Sequence, residues 1–282
     1  MRDQAAVLRR MVQRRTPFTR VIAVTSGKGG VGKSNITANL GVSMAQLGAR
    51  PAILDGDLGL ANVSILFGMN PPYDLRDVLS GRQRISEIAV SGPGGVLLLA
   101  GGSGLYEIAN PAAEQLDHLL ASLSELESLC DVLLVDTGAG LNESVIRLVL
   151  SAPDVLLVTT PEPPALADAY GMVKVIAHRS PETRVHVVMN MVRRVGDGKR
   201  VFEGLHQAAA HFLSFDLQFL GEVPFDAALA RAVVEQTPVV LAYPHTAVSR
   251  ALGRLAGTLL GLPTPTAGGW RGLLRRMWSR GG

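Results

Sequence analysis

The sequence predicts an α/β fold, a doubly wound and mostly parallel sheet with helices on both faces, and three observations support that class. From Arg20 onward, short runs of β-branched apolar residues alternate with longer stretches of helical periodicity. The runs are apolar at consecutive positions, as in strands covered on both faces. Several of them end in Asp, Asn or Thr before a Gly- or Pro-rich loop, which predicts functional groups along the carboxyl edge of the sheet.

Taken in chain order, the elements are seven strands separated by stretches long enough to be crossover helices. The strands are predicted at Val21–Thr25, Pro51–Asp55, Val96–Ala100, Val132–Asp136, Val155–Thr159, Val185–Asn190 and Phe219–Val223. The helices are predicted at residues 33–48, 111–128, 142–151, 164–179, 199–213, 226–235 and 245–261. The globular domain is expected to span residues 20–262. Residues 1–19 are expected to form a separate terminal helix, residues 263–269 a Pro/Gly linker and residues 270–282 a last short helix.

Composition limits the function classes. With 47% apolar and 18% charged residues, the 282-residue chain is neither disordered nor fibrous. It has one cysteine, which excludes an internal disulfide and a cysteine-based zinc site, and no apolar run reaches the ~18–20 residues of a membrane span. Residues 1–20 carry six Arg and one acid, residues 264–282 four Arg and no acid, and the interior 17 basic and 23 acidic residues. Basic ends on an acidic body predict anionic partners at the ends and no direct nucleic-acid contact.

A complete phosphate-binding motif, G-x-x-x-x-G-K-S, follows the first strand and opens a helix. The predicted nucleotide-binding residues are Gly27, Lys28, Gly29, Gly30, Val31, Gly32, Lys33, Ser34 and Asn35. Glycines let successive backbone N–H groups point at phosphates, and the helix N-terminus adds its positive end. In this motif Lys33 reaches the β- and γ-phosphates and Ser34 offers its hydroxyl to Mg²⁺.

The loop also resembles the deviant Walker A sequence K-G-G-x-G-K-[ST] of the MinD/ParA ATPases, with Lys28 as the additional lysine. In that family the first lysine contacts the nucleotide of the partner subunit in an ATP-bound dimer. The resemblance covers roughly residues 20–262. It implies the P-loop NTPase fold, ATP and Mg²⁺ as cofactors, and a second copy of the chain as a partner that Lys28 reaches in trans.

Two further segments resemble the switch regions of this family. Asp55-Gly56-Asp57 after the second strand, with Asn62 completing D-x-D-x-G-x-x-N, is similar to switch I. The resemblance implies that Asp55 holds the water shell of Mg²⁺ and that Asp57 orients or deprotonates the attacking water. Asp136-Thr137-Gly138 after the fourth strand is placed like switch II, where Asp136 would reach Mg²⁺ through water.

The least distinctive matches concern the base of the nucleotide. Asn190 closes the sixth strand, and Pro224, Phe225 and Asp226 follow the seventh. These positions resemble the adenine-recognition loops of the family, so they are expected to bind the adenine of ATP.

The N-terminal segment is predicted to form a short amphipathic helix that Pro17 ends before the first strand. It resembles the D-Q-A-x-x-L-R motif of the FlhG (FleN) flagellar-number regulators, in which it stimulates the GTPase FlhF. The matching positions, and so the predicted partner-binding residues, are Asp3, Gln4, Ala5, Leu8 and Arg9.

The C-terminal segment has the pattern of a helix that lies in a membrane interface. Its apolar residues recur at i, i+3, i+4, i+7 and i+8, and four arginines occupy the opposite face. The predicted membrane-binding residues are Trp270, Leu273, Leu274, Met277 and Trp278. The expected partner is anionic inner-membrane lipid, bound from the cytoplasm when two tails are joined in an ATP-bound dimer.

The function that these patterns favour is a slow Mg-ATPase switch that dimerises on ATP and controls flagellar number or placement. A flagellar transcription activator and flagellar switch-complex proteins are further candidate partners. The alternatives are a division-site MinD, a ParA-type DNA partitioner and an iron–sulfur carrier. The Asp3–Arg9 motif argues against the first, the acidic body against the second and the single Cys130 against the third.

Overall fold

The protein is described by a computed structural model that covers residues 19–57, 62–102 and 113–262. The strands are β1 Arg20–Thr25, β2 Pro51–Gly56, β3 Ala89–Ser91, β4 Leu97–Leu99, β5 Val132–Thr137, β6 Asp154–Thr159, β7 Arg184–Val192 and β8 Leu217–Pro224. The helices are α1 Lys33–Gln46, α2 Val63–Leu66, α3 Leu75–Leu79, α4 Ala113–Ser122, α5 Glu143–Leu150, α6 Pro163–Arg179, α7 Asp197–Leu213, α8 Ala227–Val234, α9 Val239–Ala242 and α10 Ala247–Leu259.

The described strands form one sheet in the order β3-β4-β2-β5-β1-β6-β7-β8. Only the β3–β4 pair is antiparallel, and the other neighbours run parallel. From β1 the chain moves to β2 and β4, returns to place β5 between β2 and β1, and then continues outward on the other side through β6, β7 and β8. The carboxyl ends of β1, β2 and β5 therefore meet where the direction of winding reverses, which is where open α/β sheets bind ligands.

Helices cover both faces, and the apolar core lies in two layers between them and the sheet. On one face, Leu40 of α1 and Leu255 of α10 belong to a cluster with alternate residues of the strands. On the other face, Met172 of α6 and Leu205 of α7 pack on the opposite side chains of β6 and β7. All six residues of β5 and of β6 are buried, as expected of strands covered on both sides.

The predicted doubly wound, mostly parallel fold is confirmed. The structure adds four elements that the sequence patterns missed, β3, α2, α3 and α9, each five residues or shorter. Segments this short give too few positions for a helical or strand period to be recognised. Among the described residues, no helix is both long enough and apolar enough to cross a bilayer.

Candidate functional site

The loop between β1 and α1 is held in place by contacts that only glycine allows. Gly32 has φ +87°, and a Cβ there would lie 2.4 Å from Nδ2 of Asn190. A Cβ on Gly27 would lie 2.2 Å from the backbone of Asp168 in α6. Gly27 is therefore required by close packing against backbone, whereas at Gly32 the left-handed φ favours glycine and a Cβ would displace the Asn190 side chain.

This loop forms one wall of an open cleft of about 520 Å³ at the carboxyl edge of the sheet. Residues 29–35 line one side, Asp57 and Asn62 lie opposite, and Ile65, Leu66 and Val233 add an apolar rim. Loop glycines, a helix N-terminus and a lysine on one side of a cleft of this size match the needs of a polyphosphate.

Lys33 is buried at the base of the cleft and is held by Asp136. Its Nζ lies 3.0 Å from Oδ1 of Asp136 and 3.4 Å from Oγ of Ser34. Thr37, one helical turn after Lys33, donates its hydroxyl to the same Oδ1 at 2.7 Å. The other carboxylate oxygen of Asp136, Oδ2, is buried and has no hydrogen-bond partner in the described part of the chain. A buried carboxylate oxygen normally has a partner, so this atom is suited to accept from a water bound to a metal ion.

Asp55 lies directly beside Asp136, because β2 and β5 are neighbours and these two residues are paired in register. Its Oδ2 accepts from the backbone N–H groups of Asn62 and Val63, each at 2.9 Å. Burial, and next the charge of Asp136, raise the pKa of Asp55 to about 7. Two adjacent buried carboxylates with one lysine leave excess negative charge, which a divalent cation would neutralise.

Asp57 lies in the cleft, half-buried, and its backbone N–H donates to Oδ1 of Asp55 at 3.3 Å. Its carboxylate faces the loop after β5, where a Cβ on Gly138 would be 3.9 Å from Oδ1 of Asp57. The two predicted switch segments therefore approach each other beside the cleft. Residues 58–61, which complete the predicted switch I, lie outside the described residues.

Lys28 differs from Lys33 in its exposure and in its position relative to the cleft. Its side chain is exposed, and it does not line the cleft of its own chain. The turn that presents it is fixed by Ser26, whose hydroxyl donates to the carbonyl oxygen of Lys28 at 3.0 Å. An exposed cation on a fixed turn is free to meet a group on another molecule.

The residues expected to bind adenine lie in different settings. Asn190 is buried, and its Nδ2 donates to the carbonyl oxygen of Val31 at 2.8 Å, so this side chain supports the phosphate loop. Asp226 caps α8 by accepting from the N–H of Ala228 at 2.9 Å. Pro224 ends β8, and Phe225 is exposed with the guanidinium of Arg193 5.6 Å from its ring centre. None of the four lines the phosphate cleft, and Phe225 is the only exposed residue of the four.

Sequence patterns missed several residues that build the site. Thr37 could have been found, because position i+4 from Lys33 shares its helix face. The apolar rim and Arg193 could not, since they depend on how separate elements meet in space. The predicted partner-binding residues of the N-terminal helix and the membrane-binding residues after Leu262 lie outside the described residues.

Comparisons with known proteins agree with the geometry. A family model described as "ParA: NUBPL iron-transfer P-loop NTPase" matches residues 18–260. The chain is 38% identical to the antiactivator FleN of Pseudomonas aeruginosa, over 87% of this chain and 88% of that protein. It is 35% identical to the flagellum site-determining protein YlxH of Helicobacter pylori, over 86% and 82% of the two chains.

Among solved structures, the septum site-determining protein MinD from Pyrococcus horikoshii in complex with Mg-ADP superposes with a TM-score of 0.71 at 25% identity, covering 86% of this chain and 96% of that one. The description of the family model also names iron transfer, and the single cysteine of this chain is buried. The phosphate loop, the paired carboxylates, the sheet order and these similarities together identify the chain as a member of the ParA/MinD family of P-loop NTPases.

Proposed function

We propose that this protein is a Mg-ATPase whose nucleotide-controlled dimer regulates flagellar number or placement. The observation that carries the ATPase part is the group formed by Lys33, Ser34, Asp55 and Asp136 at the base of one cleft. The backbone N–H groups of residues 29–34 would bind the phosphates of ATP, and the ammonium of Lys33 would move from Asp136 toward the β- and γ-phosphates.

The residues present fit Mg²⁺. Ser34 would provide its hydroxyl as a direct ligand, and Asp55 and Asp136 would accept hydrogen bonds from metal-bound water. The unpartnered Oδ2 of Asp136 and the raised pKa of Asp55 support this assignment. When bound, the ion would neutralise charge that develops on the β- and γ-phosphate oxygens.

Asp57 is the group proposed to act on the attacking water. Its carboxylate would accept a hydrogen bond from a water placed in line with the γ-phosphorus, while the bond from that phosphorus to the bridging oxygen of ADP breaks. Slow, switch-like hydrolysis is part of this proposal.

Dimerisation would complete the site. Lys28 is exposed, on a fixed turn, and outside the cleft of its own chain, as a lysine that contacts the partner's phosphates would be. Because each copy would offer its Lys28 to the other, the dimer would form only when ATP is present in both clefts.

The flagellar role rests on the similarity to the FleN and YlxH proteins and on the Asp3–Arg9 motif. The N-terminal helix would stimulate the GTPase FlhF, and the C-terminal helix would hold the ATP-bound dimer on the inner face of the cell membrane. The name of the Pseudomonas relative, an antiactivator, makes a flagellar transcription activator a second candidate partner, beside flagellar switch-complex proteins.

The test is a count of flagella by electron microscopy in a deletion strain complemented with wild type, Lys33→Ala or no gene. We expect abnormal flagellar number or position in the deletion strain, restored by wild type and not by the variant. Normal flagella with displaced division septa would instead support the division-site alternative and overturn the flagellar assignment.

A further inference from the structure

A second cavity lies at the far end of the sheet from the nucleotide cleft. It has a volume of about 350 Å³ and is lined by β8, by the start of α7 and the loop before it, and by α10. α7 belongs to the core cluster on one face of the sheet, and α10 belongs to the cluster on the other face. A cavity lined by both helices must therefore extend across the outer edge of β8.

That edge is open. β8 is the last strand in the sheet order and pairs only with β7 among the described strands. The backbone N–H and C=O groups on its outer side therefore have no strand partner in the part of the chain that the structure describes. An open edge can bind an extended peptide as an additional strand, with side-chain specificity supplied by flanking pockets.

The lining of the cavity specifies the kind of peptide. Phe219 and Leu220 point to opposite core clusters and remain partly accessible, and Val195 in the loop before α7 is 97% exposed. These side chains offer apolar contacts on both sides of the edge. A partner strand with apolar side chains on either face would cover them.

The charges at the rim are positive. Lys199 and Arg254 are exposed, and neither side chain forms an ion pair or hydrogen bond within residues that the structure describes. Glu222 also lines the cavity, but both of its carboxylate oxygens already accept hydrogen bonds, from the backbone N–H groups of Gly196 at 2.8 Å and Gly198 at 3.1 Å. The positive charges of Lys199 and Arg254 therefore favour an acidic ligand at the cavity.

Charge also argues against binding of the protein's own terminal segments, residues 1–18 and 263–282, at the β8 edge. Residues 1–18 contain five arginines and one acid, and residues 263–282 contain four arginines and no acid. Both segments would be repelled by Lys199 and Arg254. We propose that the outer edge of β8 is a docking site for an acidic, apolar segment of another protein, which binds in extended form as a ninth strand.

The experiment uses the full chain and a phage-displayed library of random twelve-residue peptides. We expect selection of peptides that combine acidic residues with adjacent apolar residues, because neighbouring apolar side chains fall on both faces of the added strand. A synthetic copy of a selected peptide should slow amide hydrogen exchange in residues 217–224. Its affinity, measured by calorimetry, should fall at least tenfold in the K199E/R254E double variant.

The matched control is R200E/R250E, which reverses two charges on the same two helices at positions that do not line the cavity. This control should bind the peptide with unchanged affinity. Thermal unfolding of both double variants shows whether either has lost its fold. Selection of neutral or basic peptides, protection outside β8, no selection at all, or equal losses in the two variants would each overturn the proposal.

Discussion

At the scale of single residues, the two lysines of the loop are predicted to do separable work. Lys33→Ala removes the buried cation beside Asp136, so nucleotide binding should be lost. Lys28→Ala removes an exposed cation outside the cleft, so ATP should still bind while dimerisation and hydrolysis are lost. Size-exclusion chromatography with a nonhydrolysable ATP analogue separates the two outcomes. A Lys28→Ala protein that dimerises and hydrolyses ATP normally would contradict the action of Lys28 in trans.

Asp57 is predicted to contribute to turnover and not to binding. Asp57→Ala should retain MgATP affinity and lower the hydrolysis rate by roughly 100-fold or more, because general-base catalysis typically contributes 10²–10⁴ in rate. Asp55→Ala and Asp136→Ala should instead weaken the dependence on Mg²⁺. Measurement of kcat and nucleotide affinity across a Mg²⁺ titration distinguishes these effects. Wild-type turnover by Asp57→Ala would exclude it as the water-orienting group.

Asp154 is predicted to govern acid stability at the opposite edge of the sheet. Its carboxylate is buried, with Arg20 Nε at 2.9 Å and Arg184 Nε at 2.8 Å. Burial alone would raise the pKa of Asp154, but the imidazole of His186 3.5 Å away, the hydrogen bond from Arg20 and the charges of both arginines outweigh it, so the pKa lies well below its ordinary value. Because the pKa of Asp154 is lower in the folded state, its carboxylate stabilises the fold at pH values above about 4, the pKa of Asp in the unfolded chain. This stabilisation is lost as the pH falls below about 4 toward the lower pKa of the folded state.

The test of this pH effect is urea unfolding of Asp154→Asn from pH 7 to pH 2. We expect the variant to lose about 1–3 kcal/mol at pH 7, since the partner arginines are partly exposed, and to respond less to acid than wild type does. The matched control is Asp131→Asn, whose exposed pair with Arg50 should contribute less than about 1 kcal/mol. Parallel acid curves for wild type and Asp154→Asn would refute the assignment.

At the scale of elements, the sequence predicts the strands and helices that are long enough to show a regular apolar pattern. The strands from β1 to β8 that are apolar on both faces were found within about two residues of their ends. β3, at the sheet margin with two half-buried residues and one exposed residue, was not found. The loop glycines and the aspartates after β2 and β5 were found because they are local motifs. The pairing of Asp55 with Asp136 in adjacent strands was not predicted. It follows from the insertion of β5 between β2 and β1, which no local sequence pattern encodes.

The N-terminal helix is predicted to act as an independent element. A peptide covering Met1–Thr16 should raise the GTPase rate of the cognate FlhF without the ATPase domain, because the motif Asp3–Arg9 lies wholly within it. The Gln4→Ala peptide, of equal length and charge, is the matched control and should have no effect. A phosphate-release assay gives the rates. If neither the peptide nor the full chain stimulates FlhF, the segment has another role.

At the scale of the whole molecule, the fold brings the first strand and the last helix of the described domain into contact. Arg20 at the start of β1 bonds through Nη1 to the carbonyl oxygen of Leu259 at the end of α10. The start of β1 and the end of α10 therefore lie close to each other, at the edge of the sheet opposite the phosphate loop.

ATP-driven dimerisation is predicted to control membrane binding from a distance. A single short helix binds anionic lipid marginally, whereas two helices joined in a dimer add their binding free energies. Cosedimentation with anionic liposomes should therefore increase with ATP in wild type and not in Lys28→Ala, which lacks the dimer. It should weaken as salt rises, because each arginine near the surface contributes about 1 kcal/mol that ions screen.

Two tail variants locate the contact. Removal of Trp270–Gly282 should abolish liposome binding and leave ATP-driven dimerisation intact, because these residues follow the linker and lie beyond the last described helix. Trp278→Glu should act nearly as strongly, since it places a charge on the face that enters the headgroup region. The matched control is Ser279→Glu, the same charge change one residue away and off the apolar face. Binding that depends neither on residues 270–282 nor on lipid charge would exclude the C-terminal segment as the membrane contact.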